Sequence, residues 1–312
     1  MKTTDRIIVT GGTGMVGKAL QNFLGQNTLF LSSKQCDLTD FEKTLELFND
    51  YKPKYVFHLA AKVGGIVANT RFIGDFYRDN SMINTNVLEA SRLCGVKKLI
   101  SLLSTCVYPD KCSYPLTEKD IHNGKPHRSN FAYAFAKRML DVQSRAYRQQ
   151  YGCNYITAVP NNLFGKHDNY DLENSHVIPA IIRKIYEAKR DNKDVVLWGT
   201  GSPLREFTYS EDLAKVLIFL MQKYDDPEPI NVGNTKEISI KNVADTISQI
   251  MNYDGKIIWD STKPDGQLRK PSNGKKLVDY GWGQDLYTDH FKALKETCEW
   301  SEKNYNNLRG VI

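Results

Sequence analysis

The sequence has no CysXXCys pair. Its six cysteines, Cys36, Cys94, Cys106, Cys112, Cys153 and Cys298, are scattered, which excludes the usual zinc spacings and gives no sign of a disulfide framework. The longest aliphatic run, Val216 to Met221, is far too short to span a bilayer. Met1-Lys-Thr-Thr-Asp5 leads straight into an apolar strand without a signal-peptide pattern. A reducing, cytoplasmic setting is therefore expected. Charge of one sign is also scarce: 42 Lys and Arg against 36 Asp and Glu leave a net +6 over 312 residues. That suits anionic small ligands, but no dense basic stripe with interleaved aromatics marks a nucleic-acid surface. Internal repeats and low-complexity linkers are missing too.

What is present is an alternation. Apolar strands at 6–10, 29–32, 55–60, 99–104 and 155–160 are separated by helical stretches running to about Gly25, then over 41–51, 80–94 and 131–151. Gly95 and Gly152 stand where helix C-termini want a left-handed residue. Strands alternating with helices predict a parallel, doubly wound sheet with right-handed crossovers. After Pro160 the rhythm loosens. Residues 161–174 read as a polar loop long enough to suspect function. Further helices are expected at 176–190, 210–224, 240–251 and 291–305, and strands at 195–198 and 229–233. The expected division is a dinucleotide domain over 1–165, with returns near 205–233, and an interleaved substrate domain over 166–312.

The first strand runs into Gly11-Gly12-Thr13-Gly14-Met15-Val16-Gly17, with glycines in a GlyXXGlyXXGly spacing. Gly11 permits a tight strand-to-helix turn, Gly14 lets backbone amides approach a pyrophosphate, and Gly17 lets the helix pack closely. Between strand and helix, that pattern predicts a dinucleotide site. An NAD site places an Asp or Glu after the second strand to accept from the ribose 2′-hydroxyl. Here the strand ends Ser32-Ser33-Lys34-Gln35, and hydroxyls with a cation favour a 2′-phosphate, hence NADPH. Asp37 is either a contact to the adenine or a solvated turn before the next helix.

The chain is organised around residues 104–137. Tyr133 and Lys137 stand at i and i+4 on a segment free of Pro and Gly, so they share one helix face. An ammonium beside a phenol is expected to pull the phenol below its free pKa of about 10. Ser104 adds a hydroxyl at the end of a buried strand. Together the three can hold a carbonyl oxygen and protonate it. Cys106 lies two residues beyond Ser104, and its thiol, with a free pKa near about 8.5, is expected to be tuned toward neutrality. His176 is available from another segment, at the start of a helix.

The glycine loop, His58-Leu-Ala-Ala61, Ser104 and Tyr133XXXLys137 together resemble the extended short-chain dehydrogenase/reductase family. Ser104-Thr-Cys106, the ProXAsnLeuPheGly run around Asn162, HisAspAsn at 167–169, SerHisValIlePro at 175–179, TrpGlyThrGly at 198–201 and ArgGluPhe at 205–207 resemble its GDP-4-keto-6-deoxy-D-mannose 3,5-epimerase-4-reductases, from residue 6 to about 300. The resemblance implies a Rossmann-type fold with a smaller, mostly C-terminal substrate domain. It also implies epimerisation at C3 and C5 followed by NADPH reduction at C4, giving GDP-L-fucose. Cys106 and His176 match the epimerisation pair, Tyr133 the proton donor, Lys137 its modulator and ribose contact, and Ser104 the carbonyl hydrogen-bond donor. Besides the glycine turn, Ser33, Lys34 and Asp37, the expected dinucleotide contacts are Leu102, Leu103, Ser104, Thr105, Tyr133, Lys137, Pro160, Asn161, Asn162, Leu163 and His176. Lys184, Trp198, Arg205 and Asp265 are expected on the GDP-sugar, with Arg269 and Lys270 as further cations. The chain departs from the family pattern in having Lys184 where Arg is common and Asn161 where Thr is. A homodimer joined through two long helices per subunit is implied, with no metal, nucleic acid or membrane. Two other readings stand beside this one. A plain GDP-4-keto-6-deoxyhexose reductase would have no use for Cys106 and His176, and a dinucleotide-sensing protein on a silent reductase fold would not need the Tyr and Lys.

Overall fold

The structure is a computed structural model that describes residues 2–263, 265 and 267–311. In chain order the elements are β1 (Ile7–Thr10), α1 (Met15–Gln21), β2 (Thr28–Leu31), α2 (Phe41–Tyr51), β3 (Tyr55–His58), α3 (Ile66–Arg71), α4 (Ile73–Leu93), β4 (Lys98–Leu102), α5 (Phe131–Tyr151), β5 (Tyr155–Pro160), β6 (Asn162–Phe164), α6 (Val177–Asp191), β7 (Val195–Trp198), β8 (Leu204–Tyr209), α7 (Ser210–Lys223), β9 (Ile230–Val232), β10 (Glu237–Ser239), α8 (Ile240–Ile250), β11 (Ile257–Asp260), α9 (Lys275–Asp279) and α10 (His290–Lys303). Six strands pair in parallel in the order β2-β1-β3-β4-β5-β9. This is the parallel sheet expected from the sequence. The chain reverses direction across the sheet between β1 and β3, so a crevice opens at their carboxyl ends.

Successive residues of each strand point to opposite faces. Ile7, Val9, Phe57, Ile100 and Ile156 bury against α1, α7 and Leu277 of α9. Ile8, Val56, Leu99, Tyr155 and Val159 bury with Phe48 of α2, Val87 and Leu88 of α4 and Leu140 of α5. Because both faces are covered, these strands read as unbroken apolar runs. Each fully buried Leu or Phe contributes on the order of 2 kcal/mol. A third core lies outside the sheet, where α6, α8 and α10 pack on β7 and β8.

Several elements were not anticipated. Residues 162–164 form β6, which pairs parallel with β8, and β10 adds antiparallel to β8; β11 pairs parallel with β7. The three-residue strands β6 and β10 carry too little periodicity to read, and the partners of all three new strands lie far off in sequence. Helix α4 begins at Ile73, seven residues before the expected start at Asn80. The extra turns are held by Asn80, whose amide donates to the Phe76 and Lys62 carbonyls.

Candidate active site

At the turn after β1, Gly11 has φ +68°, and a Cβ there would lie 2.9 Å from the Ala60 nitrogen. A Cβ on Gly12 would sit 2.6 Å from the Phe30 backbone, and one on Gly17 2.5 Å from the Gly11 carbonyl. The second glycine of the run is thus as tightly held as the first and third of the spacing pattern. Gly14 caps α1 without a side chain, and the first turn holds no acidic residue. Its outward amides are left for an anion. The Gly12 N–H donates to the Leu31 carbonyl, which sets the end of β2 beside this turn. There Gln35 accepts from both the backbone and hydroxyl of Ser32. Ser33 and Lys34 are exposed. Asp37 accepts from the backbone and hydroxyl of Thr39, which lowers its carboxyl below the usual range. The turn geometry and free cation fit a phosphorylated dinucleotide.

The chemical centre lies at the carboxyl end of β4. Ser104 is the cap of a short 3₁₀ turn, Thr105–Val107, and its hydroxyl accepts from the Cys106 N–H at 3.5 Å. Facing it, α5 presents Tyr133 and Lys137. The Lys137 ammonium, 2% exposed, donates to the Leu102 carbonyl at 2.8 Å, and lies 6.0 Å from the centre of the Tyr133 ring. Arg138 donates to the carbonyls of Val107 and Gly124, pinning the Cys106 turn to α5. Two expectations are corrected here. Burial, with the Cys106 charge added, pushes the Tyr133 phenol up rather than down. Burial likewise raises the Cys106 thiol, against the Ser104 hydroxyl and the charges of Lys270 and Lys137. Burial lowers Lys137 to about 8. The desolvation that dominates all three is a property of the fold, invisible in the spacing.

Sequence reasoning missed a polar chain beneath this centre. The Thr10 hydroxyl accepts the N–H groups of Leu59 and Ala60, so its proton is directed to His58 Nδ1, 2.8 Å away. The Nε2–H of His58 then faces Asn84 Oδ1 at 3.1 Å, and the Asn84 amide donates to the Ala136 carbonyl. Burial and the Lys137 charge push His58 down to about 3, so it is neutral. The chain links β1, β3, α4 and α5 one residue before Lys137. An Asn in a helix interior is the signal that could have been followed.

His176 is exposed at the cap of α6. Its segment is tied toward the centre through the Gly65 N–H, which donates to the Asn174 carbonyl. The second lobe spends several expected contacts internally. Asp265 accepts from the Thr200 N–H and hydroxyl, closing the turn after Trp198; Gly266 beside it lies outside the described residues. Arg269 grips the Glu237 carboxylate. The Asn161 amide donates to the Asn234 carbonyl and accepts from Thr208, and Asn162 donates to the Glu206 carbonyl. Lys184 donates to the Val196 carbonyl and lies 5.9 Å from the ring of Trp198, itself 62% exposed. Lys270 remains near the thiol, with Arg205, which donates to the Leu204 carbonyl, close to Lys270. Burial lowers both, and the charges of Cys106 and Cys112 act on Lys270.

A glycine turn without a side-chain cap, and a Ser, Tyr and Lys set on the carboxyl side of one parallel sheet, belong to a class, the dinucleotide-dependent dehydrogenases and reductases. Residues 7–233 match the NAD dependent epimerase/dehydratase family. A GDP-L-fucose synthase of Dictyostelium discoideum is 43% identical, covering 99% of both chains. A GDP-L-fucose synthetase from Naegleria fowleri bound to NADP superposes with a TM-score of 0.95 at 42% identity, covering 99% of this chain and 96% of the other. A GDP-6-OMe-4-keto-L-xylo-heptose reductase from C. jejuni gives 0.91 at 29%, covering 97% and 99%. The chain belongs to the NAD dependent epimerase/dehydratase family, on its GDP-L-fucose synthase branch.

Proposed function

We propose that the protein converts GDP-4-keto-6-deoxy-D-mannose to GDP-L-fucose, epimerising C3 and C5 and then reducing C4 with NADPH. The observation that carries this reading is the meeting of a thiol with a ketone-binding Ser and Tyr around one buried lysine. A C4 ketone acidifies the hydrogens on C3 and C5, because the carbanion delocalises onto oxygen. Ser104 and Tyr133 hold that oxygen through their O–H groups. Cys106, as thiolate, removes the ring proton from one face, and His176 returns a proton to the other. The glycine turn would hold NADPH, with Ser33 and Lys34 available to its 2′-phosphate, and the cofactor would supply the hydride when bound. Tyr133 gives its proton to the C4 oxygen, and the Lys137 charge favours the phenolate left behind. Arg205, Lys184 and Lys270 face the anionic GDP. Residues 1–165, with returns near 205–233, serve the dinucleotide, and 166–312, interleaved with those returns, serve the sugar nucleotide. A plain reductase would leave the thiol without a task. NMR identification of the product sugar decides between them: GDP-L-fucose supports the reading, and a 4-reduced D-sugar as sole product overturns it.

The free cation at the end of β2 should set cofactor choice. NADPH should be used with clearly higher kcat/KM than NADH, and Lys34→Asp should narrow or reverse the gap. Equal use of the two by the unmodified protein would contradict the assignment.

The active form is a homodimer joined through α4 and α5. Their outer faces leave Tyr77, Phe135, Met139 and Val142 exposed, the first three lining one shallow apolar pocket, and apolar patches of this kind mark interfaces. Sedimentation at micromolar concentration should give twice the chain mass; a monomer there refutes it. The setting is cytoplasmic, which suits six free cysteines, and no helix of the described residues is long and apolar enough to cross a membrane. Recovery in a secreted fraction would argue otherwise.

A further inference from the structure

The loop between β6 and α6 is tied down at almost every polar atom. Asp171 accepts from the N–H groups of Glu173 and Asn174. Asn169 accepts from the Asp171 N–H, the Tyr170 N–H donates to the Arg309 carbonyl, and the Tyr170 hydroxyl meets Ser301. Two buried oxygens are the exceptions, Ser175 Oγ and Asp168 Oδ2, and of these only Asp168 belongs to an ionisable group. It is 6% exposed, its Oδ1 accepts the neighbouring Asn169 N–H at 2.7 Å, and its Oδ2 is buried without a hydrogen-bond partner. A buried carboxylate oxygen left unpaired is costly and needs a reason. The groups that act on it are His176 and Arg309. Burial raises Asp168 to about 6, and the His176 charge is the largest influence holding it down. His176 itself makes no capping bond to α6, so nothing on its own helix fixes the ring.

We propose that Asp168 is the positioning residue for His176, its unpaired oxygen accepting a ring N–H and so aiming the other nitrogen at the sugar. A buried carboxylate behind an imidazole fixes both its orientation and its tautomer, and stabilises the protonated ring that delivers the proton. No covalent step is assigned to Asp168. The inference rests on the reading of His176 as the epimerisation acid.

The test is deuterium incorporation at C3 and C5 of GDP-4-keto-6-deoxy-D-mannose, followed by NMR in D₂O without NADPH, on the full chain. Removing the buried orienting Asp of a Ser-His-Asp triad costs about 10⁴; here Asp168→Asn should slow epimerisation by about tenfold or more, while NADPH binding stays at the parent's value. Asp168→Glu, which keeps the charge, should recover part of the loss. The double variant Asp168→Asn with His176→Gln should be no slower than His176→Gln alone, since one residue acts through the other. If His176→Gln is impaired but Asp168→Asn matches the parent within twofold, the positioning role is overturned and the reading of His176 stands. If His176→Gln itself matches the parent, that reading falls first. Multiplying losses in the double variant would show that Asp168 acts independently, which overturns the proposal. Loss of NADPH binding in both Asp168 variants would make the carboxylate structural, and that too overturns it.

Discussion

Tyr133→Phe should lower C4 reduction by roughly 10²–10⁴-fold, the range of a lost general acid, while NADPH affinity stays near the parent's. The phenol oxygen is the group that can protonate the C4 oxygen, and the substitution removes it but keeps the ring, which meets Phe76 edge-on at 6.3 Å. The phosphates are expected away from the phenol, at the turn after β1 and the end of β2, with β3 lying between β1 and β4 in the sheet. The raised phenol makes the case firmer. Burial favours the neutral, proton-bearing form, so Tyr133 rests as an acid and not as a base. The measurement is single-turnover oxidation of NADPH beside a fluorescence titration of its binding. Turnover within a few-fold of the parent would remove Tyr133 from this role.

Cys106→Ser should abolish epimerisation almost selectively. In D₂O without NADPH the parent should wash deuterium into C3 and C5, and the variant should do so slower by orders of magnitude, because an alcohol is a far poorer base than a thiol. Any residual reduction should then yield the 4-reduced, unepimerised D-sugar. The pH dependence follows in sign. Burial raises the thiol, the thiolate is the base, and exchange by the parent should therefore climb with pH, by about tenfold per unit while the thiol and the acid on the opposite face both remain protonated. The charges of Lys270 and Lys137 oppose the rise. An exchange rate in Cys106→Ser equal to the parent's would leave the thiol structural and return the plain reductase reading to strength.

Much of this protein is legible along the chain. The alternation of apolar strands with amphipathic helices determines a parallel sheet, because a short strand buried on both faces and a crossover helix are local patterns of composition. Helix α5 ends at Gly152, in the left-handed region at φ +69°, where a C-terminal glycine belongs. The glycine turn, the Ser33-Lys34 end of β2, and Tyr133 with Lys137 at i and i+4 are likewise set by spacing alone. None of them needs a distant partner to be recognised.

Tertiary structure decides what depends on distant partners and on water. Three-residue β6 exists because β8 lies beside it, some forty residues on. Asp265 is drawn to the turn at Thr200, and Arg269 to Glu237, so charges that look available in the sequence are already engaged. The neutral His58 and its path through Asn84 to α5 require four elements to meet. The direction in which Cys106 and Tyr133 are shifted depends on how much water their surroundings exclude, and that is settled only when β4, α5 and the 270 segment close around them. Spacing names the reacting groups; the packing of segments far apart in sequence sets which proton each of them holds.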